Sequence, residues 1–152
     1  MSGFIATNNS AEEPEQVSNN SFFTDIDVSQ FRTVMRVDKT VTSERTVQAI
    51  QDAMIAINSE LQAWQDNSQS KSLSDIPSEN YGDKTKLEHL YQAALFNRAK
   101  GLLIESYRDY DSTKSGHDRS DDMETHIDDY LRRSREAIRN ILGISRMTVE
   151  LI

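Results

Sequence analysis

The sequence contains no cysteine. Disulfides, thiolate catalysis and Cys-based zinc sites are therefore excluded at once. Only five glycines are present; widely spaced, they build no G-x-x-x-x-G-K-[ST] phosphate loop. No serine sits in a G-x-S-x-G elbow. No apolar run approaches the roughly 18 residues needed to span a membrane. The leading "MSGFIATNNS" lacks the basic and apolar regions of a signal peptide. The expectation is a soluble protein that stays in the cytoplasm in which it is made. Positive charge is also short: 17 Lys and Arg stand against 25 Asp and Glu, a net charge of −8. Phosphate binding needs clustered Lys and Arg, so most of this surface is unsuited to nucleic acid. Aromatics make up 7 % and hydrophobic residues 36 %, lean but enough for one small core in a single domain.

What the chain does have is helical periodicity. Residues 1–21, rich in Asn, Ser and Glu and without period, read as a disordered, flexible N-terminal tail with Phe4 and Ile5 as its anchors. Regularity begins at "FFTDIDVSQFRTVMRV", where Asp27 is suited to cap a short helix carrying Phe31, Val34 and Met35. Further on, Val47, Ile50, Met54, Ile57, Leu61 and Trp64 recur at alternating spacings of 3 and 4. That is the inward stripe of one long helix, with Thr42 or Ser43 as cap. Ala49, Ala53, Ala56 and Ala63 flank it and permit close packing. "DNSQSKSLSDIPSENYGDK" reads as a polar linker docked through Leu73, Ile76 and Tyr81.

A third helix is expected over about 85–109, with Leu87, Leu90, Tyr91, Ala94, Leu95, Leu102, Leu103 and Tyr107 inward and Arg98 and Glu105 interrupting that face. A fourth is expected over about 121–142, with Ile127, Tyr130, Leu131, Ile138, Ile141 and Leu142 inward and Gly143 as C-cap. No strands alternate with these helices, so the expected class is all-α. The expected architecture is a small helical bundle with long helices over 22–143, followed by an extended C-terminal arm over 144–152. The arm's Thr148, Val149, Leu151 and Ile152 favour extended backbone, but the segment is too short to form a sheet alone.

Between the last two helices, "ESYRDYDSTKSGHDRSDD" admits three readings: a metal site, a catalytic loop or a plain corner. Laid over a calcium loop from Asp111, Gly116 takes the sixth place and Asp122 the twelfth. Thr113 and Ser115 stand where Asp or Asn belongs, however, and Asp118 takes the apolar eighth place. His126, with Asp122 and Asp129 one turn to either side, suits a helical-bundle metalloenzyme. His89 and His117 have no partners at ligand spacing. The adjacent pairs Asp121 with Asp122 and Asp128 with Asp129 read as a solvated acidic face rather than acid–base machinery. Arg132, Arg133, Arg135, Arg139 and Arg146 make the chain net positive from residue 132 onward. That charge complements a helix C-terminus, meets an acidic partner, or serves a helical nucleic-acid-binding regulator.

Four segments, "FFTDIDVSQFR", "TVTSERTVQAIQDAMIAINSELQAW", "LLIESYRDYDSTKSG" and "RMTVELI", together resemble the head completion/stabilization protein family of P2-like tailed bacteriophages. The resemblance runs in order from about residue 22 to 152. It implies a structural virion protein with no catalytic motif and no cofactor. Such a protein docks under the portal protein after DNA packaging and forms an adaptor ring, a homo-oligomer of twelve copies around the DNA channel. The ring stabilises the filled head and receives the next neck or tail-terminator component, while DNA passes through without specific binding. It implies the head–tail junction of the virion as the final location, with the host cytoplasm during assembly. On this reading Arg146, Met147, Thr148, Val149, Glu150, Leu151 and Ile152 form the portal-binding arm, and Arg132, Arg135 and Arg139 steer it to its partner. The "ESYRDYDSTKSGHDRSDD" stretch becomes a helix–helix corner with Tyr107 and Tyr110 buried.

Overall fold

The computed structural model describes residues 14, 16–108 and 116–144, with the backbone alone for 108 and 116–125. Helix α1 (Val28–Met35) starts where expected: the Asp27 carboxylate accepts from the Gln30 N–H at 2.8 Å. It ends at Arg36, whose left-handed backbone (φ 52°) lets the Val37 N–H reach the Arg32 carbonyl at 2.9 Å. Thr42 caps α2 (Ser43–Glu60) by accepting from the Arg45 N–H. A reciprocal capping box opens α4 (Lys86–Arg108): Glu88 accepts from the Thr85 N–H at 2.7 Å and donates its own N–H to Thr85 Oγ1 at 3.2 Å. Each cap satisfies backbone donors that the first helical turn leaves without partners.

The expected single helix through Trp64 divides at Leu61, and a short α3 (Gln62–Ser68) follows. Leu61 is fully buried at the junction while Trp64 is only partly buried. The buried face of α2 is Thr46, Ala49, Ile50, Ala53, Met54 and Ile57, so two of the expected flanking alanines belong to the core and Val47 lies at its edge. Val34, expected inward on α1, is 57 % exposed; with only two turns, α1 buries one stripe, Val28 and Phe31. Helix α5 (Gly116–Leu142) begins five residues ahead of the expected start at 121. The sixth to twelfth places of the calcium-loop register therefore lie on a helix.

Two small antiparallel ladders modify the all-α expectation. β1 (Gln16–Val17) pairs with β2 (Ile26–Asp27), Gln16 opposite Asp27 and Val17 opposite Ile26. β3 (Asn80–Tyr81) pairs with β4 (Lys84–Thr85) around Gly82, whose φ of 70° suits the first central position of a two-residue hairpin. The polar linker thus folds into a 3-10 turn (Leu73–Asp75) and this hairpin. Leu73 is buried and Ile76 partly so, whereas Tyr81 is 55 % exposed, contrary to its expected docking role.

Helix α4 is the centre of the fold. Tyr91, Ala94, Leu95, Phe96, Ala99 and Leu103 are buried on it, because α1, α2 and α5 cover different sides. Phe31 of α1 meets Phe96 edge-on at 5.3 Å. Ser134 of α5 is fully buried and donates to the Ala94 carbonyl at 2.8 Å, a backbone contact that a bulkier residue would prevent. At Gly101 a methyl group would stand 3.4 Å from Leu131 of α5.

The expected tail boundary at residue 21 falls inside ordered structure. Val17, Phe22 and Phe23 are buried, and the Phe23 ring stacks on Tyr91 at 4.4 Å. Asn19 completes a closed triangle: its amide donates to Tyr91 Oη at 2.8 Å, Tyr91 donates to Asn58 Oδ1 at 2.7 Å, and Asn58 donates to Asn19 Oδ1 at 2.9 Å. The triangle satisfies a fully buried phenol, whose pKa burial pushes far above the usual tyrosine range. Residues 16–23 are therefore a strap fastened across α2 and α4. Residues 1–13 and 15, the rest of the expected tail, lie outside the described residues.

Candidate functional site

Positive charge is scarce in this chain, so its distribution marks the surfaces able to meet a partner. Arg132, Arg135 and Arg139 lie three and four apart on α5 and are all exposed or partly so. Arg132 is held within its own helix, 3.5 Å from Asp129 and 3.1 Å from Glu136. Such exposed pairs contribute about 0–1 kcal/mol, but they mute Arg132 as a steering charge. Arg139 borders a hollow with Glu136, Asn140 and Ile144 at the root of the expected arm. Ile144 itself is 51 % exposed. Residues 145–152, and with them Arg146, Met147, Thr148, Val149, Glu150, Leu151 and Ile152, lie outside the described residues. So does Tyr110; Tyr107 is partly buried beneath Arg45, whose guanidinium lies 5.4 Å from the ring centre.

A second cationic group carries no signal in the sequence. Arg36, Lys100 and Arg133 border one open hollow of about 620 Å³ with Val34, Asn97 and Tyr130. They come from the end of α1, the middle of α4 and the face of α5 turned towards α1. None of the three makes an ion pair among the described residues. The Lys100 ammonium donates to the Arg36 carbonyl at 3.3 Å, and the Arg133 guanidinium sits 5.8 Å from the Tyr130 ring centre. Partial burial pulls the Lys100 pKa down, opposed by the Asp38 carboxylate. Asp38 in turn is held below the usual carboxylate range, chiefly by the Thr40 hydroxyl and then the Thr40 N–H. Only helix packing assembles this cluster, since its members lie at positions 36, 100 and 133 of the chain.

His126 is exposed, and its neighbour Asp129 faces Arg132 at 3.5 Å. The Asp122 side chain lies outside the described residues. Among the described residues no group of three or more His, Asp or Glu is placed to hold a metal ion. His89 serves the fold instead, since its Nε2 hydrogen-bonds the Tyr81 carbonyl at 2.7 Å and ties the hairpin to α4. His126→Ala is expected to leave the melting temperature unchanged with or without zinc. A rise of several degrees on adding zinc to the parent protein would overturn this, because a ligand that binds the native state stabilises it. No helix among the described residues is long and apolar enough to cross a membrane.

Comparison with known proteins places these surfaces in context. The model of the phage head completion protein (GPL) family matches residues 17–152. Over 153 aligned residues the chain is 28 % identical to the head completion/stabilization protein of Escherichia phage P2, covering 99 % of this chain and 90 % of that protein. No solved structure matches the chain.

Proposed function

The chain belongs to the phage head completion protein family, and from that membership we propose that it docks under the portal of the DNA-filled head and links the head to the neck. Its role is structural: it completes and stabilises the phage head as a component of the virion. Copies of the subunit assemble as an adaptor ring, twelve around the channel, and the next neck or tail-terminator component seats on that ring. The C-terminal arm, residues 146–152, binds the portal. A lone extended segment leaves its N–H and C=O groups unpaired, and adding to a partner's strand or groove satisfies them. Arg135 and Arg139, at the root of the arm, steer it towards an acidic surface.

The observation that carries this reading is the span of the family match, which runs through the arm to residue 152. Charge agrees with it. A ring of subunits each carrying −8 repels the phosphate backbone, so DNA passes without sticking. For the regulator reading, Arg132 is already engaged by Asp129 and Glu136. Electron micrographs of intact virions treated with a gold-labelled antibody to this chain test the reading. Label is expected at the head–tail vertex. Label spread over the shell or along the tail, or none on virions, would overturn it.

A further inference from the structure

The β3–β4 hairpin is firmly tied yet leaves its tip bare. Asn80 pairs with Thr85 and Tyr81 with Lys84, the Lys86 N–H reaches the Glu79 carbonyl at 2.7 Å, and His89 of α4 holds the Tyr81 carbonyl at 2.7 Å. A two-stranded hairpin is marginal on its own, so these last two ties help to keep it in shape. Glu79, Asn80, Tyr81, Gly82 and Asp83 are nevertheless all exposed, and the Tyr81 ring, 55 % exposed, is not part of the core. The Tyr81 hydroxyl donates to the Glu79 carboxylate at 3.0 Å, which sets an aromatic ring and a carboxylate side by side. From Ser72 to Asp83 the chain carries Asp75, Glu79 and Asp83 and no Lys or Arg.

The hollow of Arg36, Lys100 and Arg133 has the complementary character. Its three cations make no ion pair among the described residues. At about 620 Å³ it lies in the size range of sites that take up an organic group, roughly 300–1,000 Å³. Its wall is not only charged, because Val34, 57 % exposed, and Tyr130 border it as well. A phosphate backbone offers nothing to an exposed valine and a tyrosine ring. A protein segment with an aromatic ring beside carboxylates matches both parts of the wall. The hairpin of the same subunit does not fill it. His89, which holds the hairpin, and Lys100 are both on α4, about 16 Å apart along its axis, and none of residues 79–83 lines the hollow.

We propose that the acidic hairpin of one copy seats in the cationic hollow of the next, with Tyr81 against Val34 and Tyr130 and with Glu79 and Asp83 facing Arg36, Lys100 and Arg133. Knob and hole are different surfaces of one chain, so the contact is heterologous. Each copy offers its hairpin to one neighbour and its hollow to the other, and the series continues until rotation closes it into a ring. The firm mounting of the hairpin lowers the ordering cost of docking. The inference rests on the reading of this protein as a multi-copy component of the virion; it assigns the seam between copies, which that reading leaves open.

Because the chain has no cysteine, Val34→Cys/Asp83→Cys puts one thiol at the hollow and one on the hairpin tip of every full-length copy. Virions carrying this variant are oxidised with copper–phenanthroline and run on a non-reducing gel. A ladder of dimers, trimers and larger multimers is expected, with only monomer from either single-cysteine variant. Adding Arg133→Glu should remove the ladder, and adding Glu79→Lys to that chain should restore it. Melting temperatures of the purified variants are compared to confirm that each is folded. Monomer alone from virions that hold the double-cysteine chain overturns the proposal. So does a ladder that stops at dimers, the mark of a two-fold pair, or one that survives Arg133→Glu in a folded chain. Parent virions without the chain would instead overturn the virion reading. The ladder is then sought from the purified double-cysteine chain at high concentration, where its absence overturns the proposal too.

Discussion

A chain lacking residues 145–152 is expected to melt at nearly the same temperature as the full protein and to lose attachment to DNA-filled heads altogether. The first half of that expectation rests on how α5 ends. Gly143 adopts φ 70° and donates its N–H to the Asn140 carbonyl at 3.3 Å, while the Ile144 N–H reaches the Arg139 carbonyl at 3.0 Å. This pair of bonds is the Schellman closure, and it satisfies the Arg139 and Asn140 carbonyls without help from anything beyond residue 144. The second half rests on the arm itself, whose Thr148, Val149, Leu151 and Ile152 have nothing to gain from remaining in water. Circular dichroism melting and sedimentation with purified filled heads measure the two halves separately. Unfolding of the truncated chain would assign the segment to its own core. Normal attachment would mean that the arm is not what holds the protein to the head.

Ile57→Ala is expected to cost about 2–5 kcal/mol, the range for emptying a fully buried aliphatic site that cannot collapse. Ile57 is 0 % exposed on the α2 face turned to the core. Trp64→Ala, at a half-buried site beyond the break at Leu61, should cost less despite the larger side chain removed. Gln51→Ala, on the exposed side of α2, should stay within about 0.5 kcal/mol. Urea unfolding of the three variants gives the ordering. Equal small losses at Ile57 and Gln51 would mean that α2 does not bury the face described.

The helix caps are legible in the sequence because they are local. Asp27, Thr42 and Gly143 each act on backbone groups a few residues away, and composition signals them directly. The break at Leu61 is not legible, since the 3–4 spacing of apolar residues continues across it and one buried leucine serves both helices. The strap misleads for a related reason. Asn and Ser suggest a flexible tail until Tyr91 and Asn58 are brought together, 33 positions apart, and only then does Asn19 have partners. The β3–β4 hairpin carries a usable signal in Gly82 followed by Asp83, masked by the polarity around it. The hollow of Arg36, Lys100 and Arg133 has no sequence signal, because its members share a surface only after three helices have packed.

The strap has a consequence during synthesis. Asn19 and Tyr91 lie 72 positions apart, and the chain is made from its N-terminus. At about 5–20 residues per second, roughly 4–14 s pass between the appearance of Asn19 and that of the tyrosine it must bind. Throughout that interval Phe22 and Phe23 have no α4 to pack against, and they emerge from the ribosome as exposed aromatic surface. α4 and α5, neighbours in sequence, can pair as soon as α5 is complete. The strap is thus translated well before the residue that secures it, and until α4 arrives the polar neighbours of Phe22 and Phe23 are Asn19, Asn20, Ser21 and Asp25.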